Sequence, residues 1–213
     1  MPALRASVPR RRVGQADFQR LLGPAAWASL PAAVQTRFRM HAADFRCRYD
    51  GDMVVRASWA GRLIAQLCRL IGTPLAPWTG EAVETGVDVW LDRDGALVWD
   101  RTYRFPGHGP VQVSSRKLAN ARGDLLEVVR GGLGMALDVS AEDGALHFRS
   151  TRYFLDVGGL RLTIPGLATP GRAHVIHRDE GGGRFRFTLH FNHPWLGETL
   201  FQEGIFADPK EAA

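Results

Sequence analysis

The chain has few cysteines, almost no lysine and no long apolar run, and these scarcities exclude several classes of protein. Cys47 and Cys68 lie in segments that are predicted to be different elements, which predicts reduced thiols rather than a disulfide framework. No apolar run approaches the roughly 18 residues of a transmembrane helix. The charged N-terminal segment has no apolar stretch behind it, so it predicts no secretory signal and a cytoplasmic protein is the default expectation.

Motifs of common enzyme classes are missing as well. The chain has no Gly-x-Ser-x-Gly elbow and no Gly-rich dinucleotide fingerprint. His174 with His177, and His190 with His193, have a spacing that puts the two side chains on opposite faces of a strand, so neither pair predicts a metal site. The sequence therefore predicts no cofactor, and it favours a non-catalytic protein without excluding an enzyme.

The positive charge is concentrated at the start of the chain. The formal net charge is +5, and Arg5, Arg10, Arg11 and Arg12 precede the first acidic residue. The remainder is nearly neutral, so no specific nucleic-acid partner is expected. Residues 1–14 are predicted to be a disordered basic tail, residues 15–208 a single domain and residues 209–213 a flexible end.

Helical periodicity is confined to the first third of the chain. Residues 15–40 predict two short helices, and residues 59–72 predict an amphipathic helix with Arg62, Gln66 and Arg69 on its polar side. This helix is expected to cap the end of a sheet; the alternative is a helix lying on an anionic membrane surface. Between these segments, residues 45–58 predict a hairpin around Asp50-Gly51.

From residue 82 to residue 206 the apolar period is mostly two, with turn residues such as Asp94-Gly95 and Asp143-Gly144 between the rows. Residues 157–172 interrupt the rows and are expected to form an irregular lid or rim. A meander of about nine strands must curl or close to hide its edges. We therefore predict an α+β domain in which N-terminal helices cap a large antiparallel, strongly curved or barrel-like sheet.

Charged side chains occur in rows that otherwise indicate a core. Arg101 lies in register with Trp99 and Tyr103, and Arg152 and Glu203 occupy similar places in rows 146–154 and 201–205. A guanidinium inside a barrel must be paired. Two interpretations stay open: an internal pair of Arg101 with Glu203 that fixes strand register, or a cavity with an aromatic wall whose arginine binds an anionic head group.

The last strand-turn-strand contains a rigid corner, His193-Pro194-Trp195-Leu196-Gly197, because Pro194 fixes its φ and Gly197 permits a positive one. The ring of His193 is interpreted as hydrogen-bonding this corner, with ligand contact or acid–base chemistry as the alternatives. The complete set of candidate ligand-binding residues is Trp99, Arg101, Tyr103, Arg152, His193, Trp195 and Glu203.

The His193-Pro194 corner, the Trp99-x-Arg101 strand and the Gly134-x-x-Leu137 segment, in this order, resemble domain-of-unknown-function family 4166, an uncharacterised bacterial family. The resemblance extends from about Phe18 to Phe206. Members of that family occur alone or beside NAD(P)-binding reductase-like domains, which implies an accessory role to a reductase in trans. The resemblance implies no catalytic residues.

Three functions remain open. The favoured one is a non-catalytic binder of a small lipophilic or anionic amphiphilic ligand, or an accessory module to an NAD(P)-dependent reductase. The second is an enzyme that acts in the barrel cavity with Arg101, Arg152, Glu203 and His193. The third is a membrane-surface interaction domain held by the helix of residues 59–72 and the arginine-rich tail.

Overall fold

The computed structural model describes residues 14–69, 75–157 and 160–209. Within these residues the chain forms four short helices and eleven strands. The helices are α1 (Phe18–Leu22), α2 (Pro24–Ala28), α3 (Ala32–Phe38) and α4 (Trp59–Cys68). The strands are β1 (Arg46–Ala57), β2 (Gly80–Leu91), β3 (Leu97–Arg104), β4 (Val111–Ala119), β5 (Leu125–Val129), β6 (Leu133–Glu142), β7 (Ala145–Val157), β8 (Leu160–Ile164), β9 (Arg172–Gly181), β10 (Arg184–His193) and β11 (Gly197–Ala207).

Ten of these strands close into an antiparallel barrel. The sheet order is β6-β5-β4-β3-β2-β1-β11-β10-β9-β7, and β7 pairs with β6 to complete the ring. β7 pairs with β9 over Ala145–Arg149 and with β8 over Tyr153–Val157. The second half of β7 therefore lies beside β8, the strand outside the barrel, and no longer beside β9. The predicted α+β fold with a barrel-like sheet is confirmed, and closure removes the exposed edges that an open sheet would carry.

One end of the barrel, here called the base, is filled by the first three helices. Their apolar side chains enter the core, with Phe38 fully buried between Trp99 and Phe148. Arg37 ties α3 to the strand ends because its guanidinium lies 3.1 Å from Asp179 and 2.7 Å from Asp208. This buried arginine is thus paired within the base.

The opposite end, here called the mouth, is covered by α4. Ser58 caps the helix by accepting a hydrogen bond from the backbone N–H of Gly61. Gly61 packs directly on the backbone of Thr199 in β11, where a side chain would overlap the carbonyl. Ala65 is fully buried beneath the helix. The prediction that this helix caps the sheet is confirmed.

Several local predictions were wrong. Asp50-Gly51 is not a turn: β1 runs through it, and Gly51 is required because the backbone of Ile205 in β11 approaches its α-carbon closely. The N-terminal segment forms three helices rather than two, because Gly23 and Pro31 each begin a new one. The predicted irregular segment 157–172 contains β8, and β1 and β8 raise the strand count from nine to eleven.

Cys47 and Cys68 are free thiols, as predicted. The predicted end of the capping helix at Gly72 lies outside the described residues. The predicted basic tail and the predicted flexible end also lie outside them, apart from Gly14 and Pro209. Among the helices that are described, none combines the length and apolarity needed to cross a membrane.

Candidate functional site

A cavity of about 330 Å³ lies inside the barrel beneath α4. Ile64 and Cys68 of α4 form its roof, and Ile164, Ala168 and Pro170 form part of its rim. Its wall is mostly apolar and comes from strands around the barrel: Val113, Val129, Leu133, Met135, Leu155, Val175, Phe187, Leu189, Phe191 and Leu200. The volume and the apolar lining are typical of a small-molecule site.

The floor of the cavity is polar and contains a buried ion pair. Glu127 of β5 lines the cavity, and its carboxylate lies 3.2 Å from Nζ of Lys117 in β4. Burial lowers the pKa of Lys117. Burial alone would raise the pKa of Glu127, but the charges of Lys117 and Arg101 outweigh it and leave this pKa below its ordinary value. Each member of this buried pair therefore depends on the other for charge compensation.

Arg101 is the second cation on this floor, and it has a neutral partner. Its Nη1 donates a hydrogen bond to Oγ of Ser115 at 3.3 Å, and its guanidinium carbon lies 5.6 Å from the centre of the Phe187 ring. Among the residues that the structure describes, no carboxylate forms a salt bridge with it. With Lys117 neutralised by Glu127, the floor keeps one positive charge in excess, and that charge faces the cavity.

Two neutral groups complete the floor. The hydroxyl of Tyr103 donates a hydrogen bond to Oε1 of Gln202 at 3.0 Å, across the barrel from β3 to β11. Burial raises the pKa of Tyr103, so this hydroxyl stays protonated. Both side chains line the cavity together with Arg101.

An aromatic layer separates the cavity from the base. Trp99, one of the candidate residues, is buried in this layer and does not line the cavity; Nζ of Lys117 lies 5.4 Å from the centre of its ring. His177 sits in the same layer, with Phe38 at 4.8 Å and Phe187 at 5.3 Å between ring centres. Burial, with the nearby cations, holds the pKa of His177 well below 6.5.

Arg152 and Glu203 do not join Arg101, so their predicted place on the core face was wrong. A β-bulge in β7, between Ser150 and Arg152, reverses the alternation and puts Arg152 on the outer surface. Glu203 also faces outward, where it accepts hydrogen bonds from Arg186 at 2.9 Å and from Thr188 at 3.3 Å. The proposed internal pair of Arg101 with Glu203 does not exist.

The ring of His193 hydrogen-bonds the corner of residues 193–197, as the sequence predicts. Its Nδ1 accepts hydrogen bonds from the backbone N–H groups of Trp195 and Leu196, both at 3.2 Å, so Nε2 carries the ring proton and points to the carbonyl of Leu167 at 3.4 Å. Trp195 is 76% exposed at the tip of the hairpin. Neither residue lines the cavity.

Lys117, Glu127, Ser115 and Gln202 were missed by sequence reasoning. Ser115 and Lys117 lie on one face of β4, and Glu127 faces them from β5 in the next hairpin. The usable signal was Lys117 itself, because it shares a strand face with Val113 and the chain has almost no other lysine. The inward-facing alternation of β4, continued across the turn into β5, places Glu127 directly opposite Lys117.

One protein family matches most of the chain. Residues 30–206 match the family model described as a domain of unknown function, DUF4166. Among solved structures, the dehydratase domain from the CurF module of curacin polyketide synthase aligns over 80% of this chain and 78% of its own, with 8% identity and a TM-score of 0.20. At that TM-score the likeness carries no argument. No curated protein matches the sequence.

Proposed function

The chain belongs to the DUF4166 family, whose function is unknown. From the chain's own cavity we propose that it binds an anionic amphiphile inside the barrel. The carboxylate or similar head of the ligand contacts Arg101, and its apolar tail lies along the wall toward α4. The observation that carries the proposal is the uncompensated guanidinium of Arg101 on the floor of an apolar cavity.

The charge on the floor favours an anionic head over a cationic or neutral one. Lys117 and Glu127 neutralise each other, so an anion at Arg101 would bring the floor to neutrality. A charge-assisted hydrogen bond to a carboxylate is about twice as strong as one between neutral groups. A cationic head would instead meet Arg101 and the carboxylate of Glu127, which Lys117 already pairs, and this disfavours its entry.

The arrangement favours binding over catalysis by the residues predicted for an enzyme. Of those residues, Arg101 lines the cavity, Arg152 and Glu203 face outward, and His193 is engaged by the corner. They do not converge on one reacting position, which acid–base or nucleophilic catalysis requires. The accessory role beside an NAD(P)-dependent reductase, which the family resemblance implies, stays a prediction.

Replacing Arg101 with leucine is expected to weaken the binding of a fluorescent fatty acid by at least about tenfold, which corresponds to the loss of one charged hydrogen bond. Thermal stability should be unchanged or higher, because a half-buried cation without a carboxylate partner is removed. Fluorescence titration of the wild type and Arg101→Leu measures the first quantity, and thermal melts measure the second.

Arg178→Leu is the matched control, because Arg178 lies on the outer face of β9 and its side chain donates to the carbonyl of Asp143, its one hydrogen bond within the described part of the chain. This variant should bind the probe like the wild type. Equal affinity in the wild type and Arg101→Leu would overturn the proposal, as would a wild type that takes up no fatty acid.

A further inference from the structure

Exposed large apolar side chains cluster at one end of the molecule. Within the described ranges, all of them except Met40 and Ile205 belong to three segments: the outward stripe of α4, the stretch around β8, and the tip of the β10–β11 hairpin. Their members, together called the apolar rim, are Trp59, Leu63, Leu67, Val157, Leu160, Leu162, Leu167, Trp195 and Leu196. Exposed apolar clusters of this kind mark interaction sites.

Direct contacts hold the three segments together around the mouth of the barrel. Gly61 of α4 packs on the backbone of Thr199 at the foot of the hairpin, and the hydroxyl of Thr199 donates a hydrogen bond to the carbonyl of Pro170. The ring of His193 in the hairpin reaches the carbonyl of Leu167. The apolar rim therefore surrounds the roof of the cavity rather than being scattered over the surface.

The outward face of α4 is wider and more apolar than capping requires. Ala60, Gly61 and Ala65 are the buried residues of the helix, whereas Trp59, Leu63 and Leu67 follow one another at i, i+4 and i+8 toward solvent. Trp59 is 71% exposed. A helix that needed only to cover the barrel would carry polar residues on this stripe.

Cations outnumber acids in the segments that carry the apolar rim. The chain has no acidic residue between Asp52 and Glu81, and none between Asp156 and Asp179. The exposed cations in these stretches include Arg62 and Arg69 beside the stripe of α4, and Arg172 at the start of β9. Two carboxylates border these segments: Asp156 pairs with Arg161, and Glu198, beside the hairpin tip, lies 3.0 Å from the ring of His190.

We propose that the apolar rim docks on the surface of an anionic lipid bilayer. Apolar side chains with flanking arginines that outnumber the acids match the interfacial layer of such a membrane, where apolar area and attraction to anionic lipids act together. Trp59 and Trp195 suit this layer because the indole combines a large apolar surface with one hydrogen-bond donor. Docking brings the mouth of the cavity against the membrane but does not depend on the ligand proposed above.

Flotation with vesicles tests the proposal on the full chain. The wild type should float with phosphatidylcholine vesicles that contain about 30% phosphatidylglycerol, and less well in high salt or with phosphatidylcholine alone. The triple variant Trp59→Ser, Leu63→Ser, Trp195→Ser should lose more than about tenfold in vesicle partitioning. The control Met40→Ser, Ile205→Ser removes the exposed apolar residues outside the apolar rim and should float like the wild type.

A second variant guards against a folding defect in the triple variant. Arg62→Glu with Arg69→Glu keeps every apolar contact of α4 and should also reduce flotation with anionic vesicles. Flotation that survives both sets of substitutions would assign vesicle binding to the arginine-rich start of the chain and overturn the proposal. A wild type that ignores vesicles but forms a dimer that the triple variant dissolves would also overturn it, because the apolar rim would then bind protein.

Discussion

Replacing Glu127 with leucine is expected to lower the free energy of unfolding by about 3–5 kcal/mol, because it leaves Lys117 charged, buried and unpaired. Arg101 increases this loss. Its charge is attracted to Glu127 in the wild type, and without Glu127 only its repulsion with Lys117 would remain. Lys117→Met should lower the free energy of unfolding less than Glu127→Leu does, because Arg101 remains close enough to attract the carboxylate of Glu127. Urea unfolding of the single variants measures both quantities.

The double variant Lys117→Met, Glu127→Leu should regain much of this loss, because two apolar side chains of similar volume need no charge compensation. The outer pair of Arg186 with Glu203 is the matched control. Both of its side chains are about one third exposed, so breaking it should change stability by less than about 1 kcal/mol. Additive losses in the double variant would show that Lys117 and Glu127 do not stabilise each other.

Replacing His177 with leucine is expected to remove a pH-dependent loss of stability. In the folded protein the pKa of His177 lies well below 6.5, so its ring stays neutral, whereas the unfolded chain takes up a proton below about pH 6.5. The unfolded state then binds more protons, and stability falls as the pH drops below 6.5 toward the folded pKa. At about pH 5 the contribution of His177 to this fall is at most about 2 kcal/mol, the value set by protonation of the unfolded chain alone.

Urea unfolding at about pH 7.5 and pH 5 tests this expectation. The advantage of His177→Leu over the wild type in free energy of unfolding should grow at the lower pH, by at most about 2 kcal/mol. It should already be positive at the higher pH, because Nδ1 of His177 is buried without a hydrogen-bond partner among the described residues. His41, His147 and His174, whose pKa values are also lowered by burial, are present in both proteins and cancel. A pH dependence identical in both proteins would contradict this account, and His108→Gln, at an exposed ring, is the control.

Local alternation predicted most of the sheet because each hairpin from β2 onward carries its own signal. Asp94-Gly95 joins β2 to β3 and Asp143-Gly144 joins β6 to β7, as the turn residues indicate. The pairing of β1 with β11, and that of β7 with β9, join residues far apart in the chain and have no such local signal. Gly51 was misread for a related reason: it serves a close approach by a distant strand, which looks like turn chemistry in sequence.

The sequence predicted part of the cavity lining. The errors arose where residues of a strand were assigned to the wrong face of the sheet. Arg101 and Tyr103 line the cavity because β3 is regular. Arg152 was misplaced by a bulge that its sequence does not reveal. Glu203 was misplaced because the true inner row of β11 contains Gln202 and Gly204, which look less like core than the outer row. Position 204 is a glycine because a β-carbon there would collide with the side chain of Met53 and the carbonyl of Asp52.

The most direct test of the proposed binding site is calorimetric titration of the wild type with three amphiphiles that share one tail and differ in the head: dodecanoate, dodecanol and dodecyltrimethylammonium. The uncompensated charge of Arg101 on the cavity floor predicts that dodecanoate binds at least about tenfold more tightly than either of the others. Equal affinities for all three, or a preference for the cationic amphiphile, would contradict the assignment of Arg101 as the group that receives the head.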